Sequence, residues 1–246
     1  MSHVVIIGGS GDIGNSIIQK LILKKKKTIN IDIKLLHENS DYLKNIQFDL
    51  RELKDQQKKL NLINEITNHN VESIESIIFC SAVQKLGSFK DFTITELEEI
   101  NLINSISQIE VFKLLLPFLQ EHDNPSLISL NSVHKNLTKS NFFSYSSSKK
   151  YLEGMLDSLS LSFNDHKVKI IQIFPAAIDT QMLRDGLNES EFKKLNNFHP
   201  VKTLGKPKDL ASLIIEIMHL KSLFLNGAKI NFDGGISNQL SDPSNQ

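Results

Sequence analysis

The sequence predicts a three-layer α/β fold, a doubly wound parallel β-sheet with helices on both faces. Three observations carry that expectation. Short runs rich in Ile, Val, Leu and Phe alternate with longer helix-like stretches along the chain, the order expected of successive strand–helix–strand units. A glycine-rich turn, Gly8-Gly-Ser-Gly-Asp-Ile-Gly14, joins the first apolar run to the first helical stretch. Finally, 246 residues can bury one sizeable core, and α/β chains of this length are commonly single units.

Taken in order, strands are expected at 4–7, 33–37, 46–48, 74–80, 126–130, 169–174 and 229–232, each short and rich in large or β-branched apolar residues. Between them, helical spacing of apolar residues marks 13–24, 53–68, 95–120, 145–163 and 208–219. Lys24-Lys-Lys-Lys27 follows the first helix, where cations complement the negative end of the dipole, and it reads as a solvated turn. The stretch 179–207 carries no strand pattern and is expected to be a mobile lid over a substrate. Residues 238–246 are polar and are expected to form a mobile tail. No Gly/Ser-rich linker or internal repeat divides the chain, so one domain over 1–237 is expected. Ligands of such a sheet bind beyond the carboxyl ends of its strands.

Composition narrows the function. Lys and Arg number 28 against 28 Asp and Glu, a balance without the basic footprint of a nucleic-acid binder. Cys80 is the single cysteine, so no intrachain disulfide is possible and a reducing cytoplasm is the expected compartment. The strand-like Val4-Val5-Ile6-Ile7 leaves no room for a signal peptide, and no later apolar run reads as a membrane span. The eight histidines show no metal-ligand spacing, so no metal is expected.

Four polar residues carry the chemistry: Asn101, Ser132, Tyr145 and Lys149. Tyr145-Ser-Ser-Ser-Lys149 sets a phenol and an ammonium four residues apart, which puts both on one helical face, so the charge can act on the phenol. Ser132 ends the apolar run before that helix. The glycine turn lets a backbone approach a pyrophosphate at the start of the following helix, where free N–H groups and the helix dipole attract anions.

The glycine turn followed by Asn101, Ser132, Tyr145 and Lys149 in that order resembles the short-chain dehydrogenase/reductase family in its single-domain, Rossmann-like form. Asn101-Leu102 in a helical stretch reaching Pro117, Phe174-Pro175, Gly205-Lys-Pro-Lys-Asp209 and Phe232-Asp-Gly-Gly235 extend the likeness over nearly the whole chain. The resemblance implies an oxidoreductase moving hydride between NAD(P) and a carbonyl or secondary alcohol, with Tyr145 as general acid/base. It implies that Lys149 also bonds the nicotinamide ribose, that Ser132 holds the substrate oxygen, and that Asn101 steadies a water in the proton relay. A free tyrosine has a pKa near 10; lowering it by about 3 units through Lys149 and the nicotinamide charge amounts to roughly 4 kcal/mol. The dinucleotide would lie against Gly8, Ser10, Gly11, Asp12, Ile13 and Gly14, then His37, Asp49, Leu50, Cys80, Ser81 and Ala82, with Tyr145, Lys149, Pro175, Ile178 and Thr180 at its nicotinamide end. His134, Phe142 and Phe143 would wall the substrate pocket, with Met182 and Leu183 opposite. The family pairs the helices carrying Asn101 and Tyr145 across subunits, which implies a homodimer or homotetramer.

Several residues depart from the family pattern. Its usual Gly-x-x-x-Gly-x-Gly would put glycine at Asp12, whereas Gly8, Gly11 and Gly14 fit Gly-x-x-Gly-x-x-Gly; Asp12 would then point outward as a helix cap. Cys80-Ser-Ala-Val83 replaces Asn-Asn-Ala-Gly, and Pro175-Ala176 replaces Pro-Gly. These changes keep open a second reading, a dinucleotide-binding regulator or scaffold with little turnover. A sugar epimerase or dehydratase is a third, but those relatives carry a sizeable C-terminal substrate domain. Cofactor choice turns on the end of the second strand. Counting from Gly14 points to Asp32, and the strand pattern points to His37, Glu38 and Asn39. No arginine lies there, and Gly11 stands where NADP-preferring relatives often carry a basic residue, so the expectation leans to NAD.

Overall fold

The computed structural model describes residues 2–36, 38–162 and 167–239. Seven parallel strands form one sheet in the order β3-β2-β1-β4-β5-β6-β7. They are β1 (Ser2–Ile7), β2 (Lys27–Asp32), β3 (Leu43–Gln47), β4 (Ser73–Phe79), β5 (Ser126–Leu130), β6 (Lys169–Pro175) and β7 (Lys229–Phe232). The helices are α1 (Asp12–Leu23), α2 (Gln56–Thr67), α3 (Ile94–Asn101), α4 (Ser107–Gln120), α5 (Phe143–Ser162), α6 (Gln181–Arg184), α7 (Glu189–Phe198) and α8 (Pro207–His219), with a π-helical turn Leu102–Ile106 joining α3 to α4. The expected α/β doubly wound architecture is present.

β1, β4, β5 and β6 are buried along nearly their whole length because both sheet faces are covered. On one face Val5, Ile7, Ile77 and Leu127 pack against Leu62 and Ile66 of α2, Val111 and Phe112 of α4, and Leu152 and Leu156 of α5. On the other, Val4, Ile6, Ile78 and Ile128 meet Ile17 and Ile18 of α1 and Leu210 and Ile214 of α8. Each side chain taken fully out of water in this way contributes about 1.5–3 kcal/mol.

The strand order reverses between β1 and β4, whose residues pair Val4–Ser76 to Ile7–Phe79. A crevice opens beyond the carboxyl ends of strands at such a reversal. The glycine turn leaves β1 there, and Cys80-Ser81 leaves β4 beside it.

Two expectations need correction. The second strand spans Lys27–Asp32, so the expected strand at 33–37 is absent over 33–36: Ile33, Leu35 and Leu36 are exposed. His37 lies outside the described residues, as does the tail from 240. Lys27 begins a strand rather than ending a turn. Second, Ile94–Gln120 is long enough, and its most apolar 18-residue window, with mean hydropathy 1.4, apolar enough, to cross a membrane by length and composition. Half of that window is buried inside the fold, as in a core helix.

Candidate active site

The glycine turn is tied to its neighbours by backbone bonds. Gly8 N–H donates to the Ile31 carbonyl at 2.9 Å, and the Cys80 and Ser81 N–H groups both donate to the Ile7 carbonyl, at 2.8 and 3.0 Å. Gly8 has φ +83°, and a Cβ there would stand 2.5 Å from Ser81 N; a Cβ on Gly14 would stand 2.3 Å from the Gly8 carbonyl oxygen. These two positions require glycine. At Gly11 a Cβ would meet only the Gly8 carbonyl oxygen, at 3.8 Å, so this side of the turn is open to an approaching group. No side chain caps the first turn of α1, whose amides remain available to an anion. The Ser81 hydroxyl is buried with no partner among the described residues. The cradle, the open amides and the orphaned hydroxyl fit a dinucleotide.

The end of β2 supplies an acid. Asp32 accepts from Ser10 N–H at 2.9 Å and from Lys34 N–H at 3.3 Å, which holds its carboxylate beside the glycine turn. Beneath it, fully buried Asn30 accepts from Gly9 N–H at 3.0 Å and donates to Asn45 Oδ1 at 3.0 Å. Asn45 N–H in turn donates to Asn39 at 2.7 Å. This ladder of amides sets the height of the turn. Asp49 is committed differently: it caps the turn at Leu50–Lys54 and grips the Arg51 guanidinium, with its Oδ2 2.5 Å from Arg51 Nη2 and the bonded pair holding its carboxyl below the usual range. Leu50 is buried in the core.

Ser132, Tyr145 and Lys149 converge. Lys149 is buried on α5 and donates to the Leu130 carbonyl at the end of β5, at 3.0 Å, with Nζ 5.6 Å from the centre of the Tyr145 ring. Burial pushes its ammonium down to about 8. Burial pushes the Tyr145 phenol up to about 12, opposed by a hydrogen bond from Ser132. Without the nicotinamide charge, burial is the larger influence on this phenol. Ser132 Oγ also accepts from His134 N–H at 3.1 Å, and its own N–H donates to Asn131 at 3.0 Å, so the serine is fixed from both sides. The Cys80 thiol is pushed up to about 12 by burial, with Asp32 adding to the rise and Lys149 opposing it. It is a poor nucleophile.

Asn101 does not join them. Its side chain lines a groove of about 620 Å³ with Leu97, Ile106, Ser147 and Tyr151, on the outer face of α3 and α5. Asn104, fully buried in the π turn, takes the inner position instead. Its Oδ1 accepts from Val83 N–H at 2.8 Å, and its Nδ2 donates to the Val83 carbonyl at 2.9 Å and to Ser148 Oγ at 3.0 Å. It clamps the segment after β4 to the helix that carries Tyr145. The extra residue of a π turn rotates the helix face, so Asn101 lies on the groove while Asn104 is buried. Glu153 of α5 was also missed. It is buried and pairs with Lys135, Lys150 and Lys229, and Lys135 belongs to the turn that follows Ser132.

The pocket walls are partly as expected. The His134 and Phe142 rings lie 4.4 Å apart, and each is 6.2 Å from Tyr145, edge to face. Phe143 is exposed and its ring faces Phe92 at 6.2 Å, so it leaves that wall. Pro175 ends β6, Ile178 is buried, and Thr180 caps α6 by accepting from Leu183 N–H at 3.4 Å. Met182 is half exposed and Leu183 partly buried. Asp12 does not cap its own helix. Its carboxylate accepts from Gln181 N–H at 2.6 Å and ties the glycine turn to the first residue of α6.

Comparison with known proteins agrees with this fold. The family model described as short chain dehydrogenase matches residues 2–191. Glucose 1-dehydrogenase 2 of Bacillus subtilis is 26% identical over 46% of this chain and 43% of its own length. Carbonyl reductase [NADPH] 2 of Sus scrofa is 22% identical over 67% of this chain and 68% of its own length. Among solved structures, a short chain dehydrogenase family protein from Francisella tularensis aligns at TM-score 0.86 and 27% identity, over 97% of this chain and all of its own. The ligand-free aldohexose dehydrogenase of Thermoplasma acidophilum has the same fold, at TM-score 0.88 and 22% identity over 98% of this chain and 97% of its own.

Proposed function

The chain belongs to the short-chain dehydrogenase family, and on that premise we propose that it is an NAD(P)-dependent oxidoreductase acting on a carbonyl or secondary alcohol, with Tyr145 as general acid/base. The observation that carries this reading is the meeting of Tyr145, Ser132 and Lys149 at the carboxyl end of β5, beside the glycine turn. When bound, the nicotinamide supplies or takes a hydride at its C4. Everything else falls to the chain. A phenol raised to about 12 keeps its proton through the neutral range, so Tyr145 donates that proton to the substrate oxygen as the carbonyl carbon gains hydride. The Ser132 hydroxyl steadies the same oxygen. Lys149 brings a positive charge to the ribose and to the phenolate left behind, and Asn104 fixes the helix on which both stand. In the oxidative direction the same groups take the proton back.

NAD is the favoured dinucleotide. The Asp32 carboxylate, held by Ser10 and Lys34, suits ribose hydroxyls and repels a 2′-phosphate. A second copy of the chain is the proposed partner, through the outer face of α3 and α5. The relatives' names span sugars and simple carbonyls, so they do not select a substrate.

The test is Tyr145→Phe. It is expected to bind NADH as the wild type does, by fluorescence titration, and to lose about 10²–10⁴-fold in turnover across a ketone and alcohol screen. Unchanged turnover would sink the assignment. In the same titration the wild type is expected to bind NADH more tightly than NADPH.

A further inference from the structure

The hydrogen bonding of His134 defines what its free nitrogen can do. Nδ1 lies 2.7 Å from the Leu137 carbonyl oxygen. A carbonyl only accepts, so Nδ1 carries a proton. Partial burial lowers the imidazole pKa, the Leu137 bond opposes this in part, and the nearby Lys139 charge adds a smaller lowering. The ring is therefore neutral at physiological pH, and Nε2 holds a lone pair. No protein partner for Nε2 exists among the described residues. The ring itself is fixed by its Leu137 bond and by Phe142 at 4.4 Å, with its centre 6.2 Å from that of Tyr145. Its backbone N–H is bonded to Ser132 Oγ, so its position is tied to that of the serine.

We propose that His134 is a substrate-binding residue that accepts a hydrogen bond through Nε2, so that the preferred substrate carries a hydroxyl on a carbon one or two bonds from the reacting one. This rests on the oxidoreductase reading above and names the substrate class for the same site: hydroxy ketones and the corresponding diols. The Phe142 ring gives such a substrate an apolar floor, while Tyr145 and Ser132 take the reacting oxygen. A simple ketone leaves the Nε2 lone pair without its partner on binding, and that loss sets the discrimination.

Two measurements test it. In ¹⁵N-histidine-labelled protein, the His134 ring signals are assigned by their loss in His134→Phe. They are expected to show a proton on Nδ1 and none on Nε2, and trans-1,2-cyclohexanediol or 1,3-cyclohexanediol, but not cyclohexanol, is expected to shift Nε2. A proton on Nε2, or no selective shift, overturns the proposal whatever the turnover. In steady-state kinetics, kcat/KM for 2- or 3-hydroxycyclohexanone is expected to exceed that for cyclohexanone by about tenfold or more. His134→Phe is expected to bring that ratio close to one, and His134→Gln, which keeps an acceptor, to restore part of it. Equal kcat/KM values in the wild type overturn the proposal while leaving the oxidoreductase reading intact. Absence of turnover on every ketone with either dinucleotide counts against that reading instead, and the nitrogen measurement then decides on His134.

Discussion

Lys149 shows at the scale of one residue how the site is held at a cost to the fold. Its ammonium sits at about 8 against an ordinary 10.5, a difference worth roughly 3 kcal/mol of buried charge. Below pH 8 both folded and unfolded chains hold the proton, and the folded state bears the full cost. Between 8 and 10.5 the unfolded chain alone keeps it, so stability from this group rises with pH. Lys149→Met is therefore expected to stabilise the protein at pH 7 by about 1–2 kcal/mol, after roughly 1 kcal/mol is lost from the Leu130 bond, and to abolish turnover. Thermal melts at pH 7 and pH 10 check it: the gain should shrink toward the higher pH, and a destabilised variant at pH 7 would refute the account. Tyr145, Ser132 and Lys149 were all legible in the sequence because order and helical spacing mark them. Asn104 was not. Its role depends on a π turn that spacing along a regular helix cannot reveal, and Asn101-Leu102 offered a nearer match to the family pattern. The raised Tyr145 phenol was also out of reach, since burial is a property of the packed cleft.

At the scale of elements, Asp12 ties the start of α6 to the glycine turn. Its carboxylate takes the N–H of Gln181 at 2.6 Å, an amide at the first position of α6 that has no partner within its own helix. Losing a cap of this kind costs about 0.5–2 kcal/mol. Asp12→Ala is expected to speed amide exchange several-fold over 181–184 while leaving Val4 to Ile7 protected, and Asp12→Asn, which still offers an oxygen, to change it less. Hydrogen exchange with peptide resolution checks this, and uniform exchange in Asp12→Ala would remove the coupling. The sequence raised Asp12 as a departure from glycine but could not say which helix it caps, because its partner lies far along the chain. Strand β2 hid for a related reason. Asn30 is fully buried and polar, satisfied by Gly9 and Asn45, so Lys27–Asp32 reads as a weak, alternating segment. The stronger apolar run beginning at Ile33 is exposed.

Across the whole molecule, one apolar face remains to be covered. Within the continuous helical stretch Ile94–Gln120 the most apolar 18-residue window has mean hydropathy 1.4, yet only half of that window is buried. Beside it lies the open groove lined by Ile94, Leu97, Ile106 and, from α5, Tyr151, of which Ile94 is 77% and Tyr151 50% exposed. A second copy would cover an apolar patch of this kind most simply about a twofold axis, where each copy presents the same helices to the other. If a second copy covers it, the folded dimer draws stability from association, and the melting temperature rises with protein concentration. Tyr151→Arg puts a charge on that face without touching Tyr145 or Lys149, and at an exposed helical position it costs the single chain little. The wild type is expected to sediment as a dimer or tetramer with a concentration-dependent melting temperature. Tyr151→Arg is expected to shift toward the monomer and lose that dependence. A wild-type chain that sediments as a monomer, with a melting temperature independent of concentration, would show that this face serves no self-association.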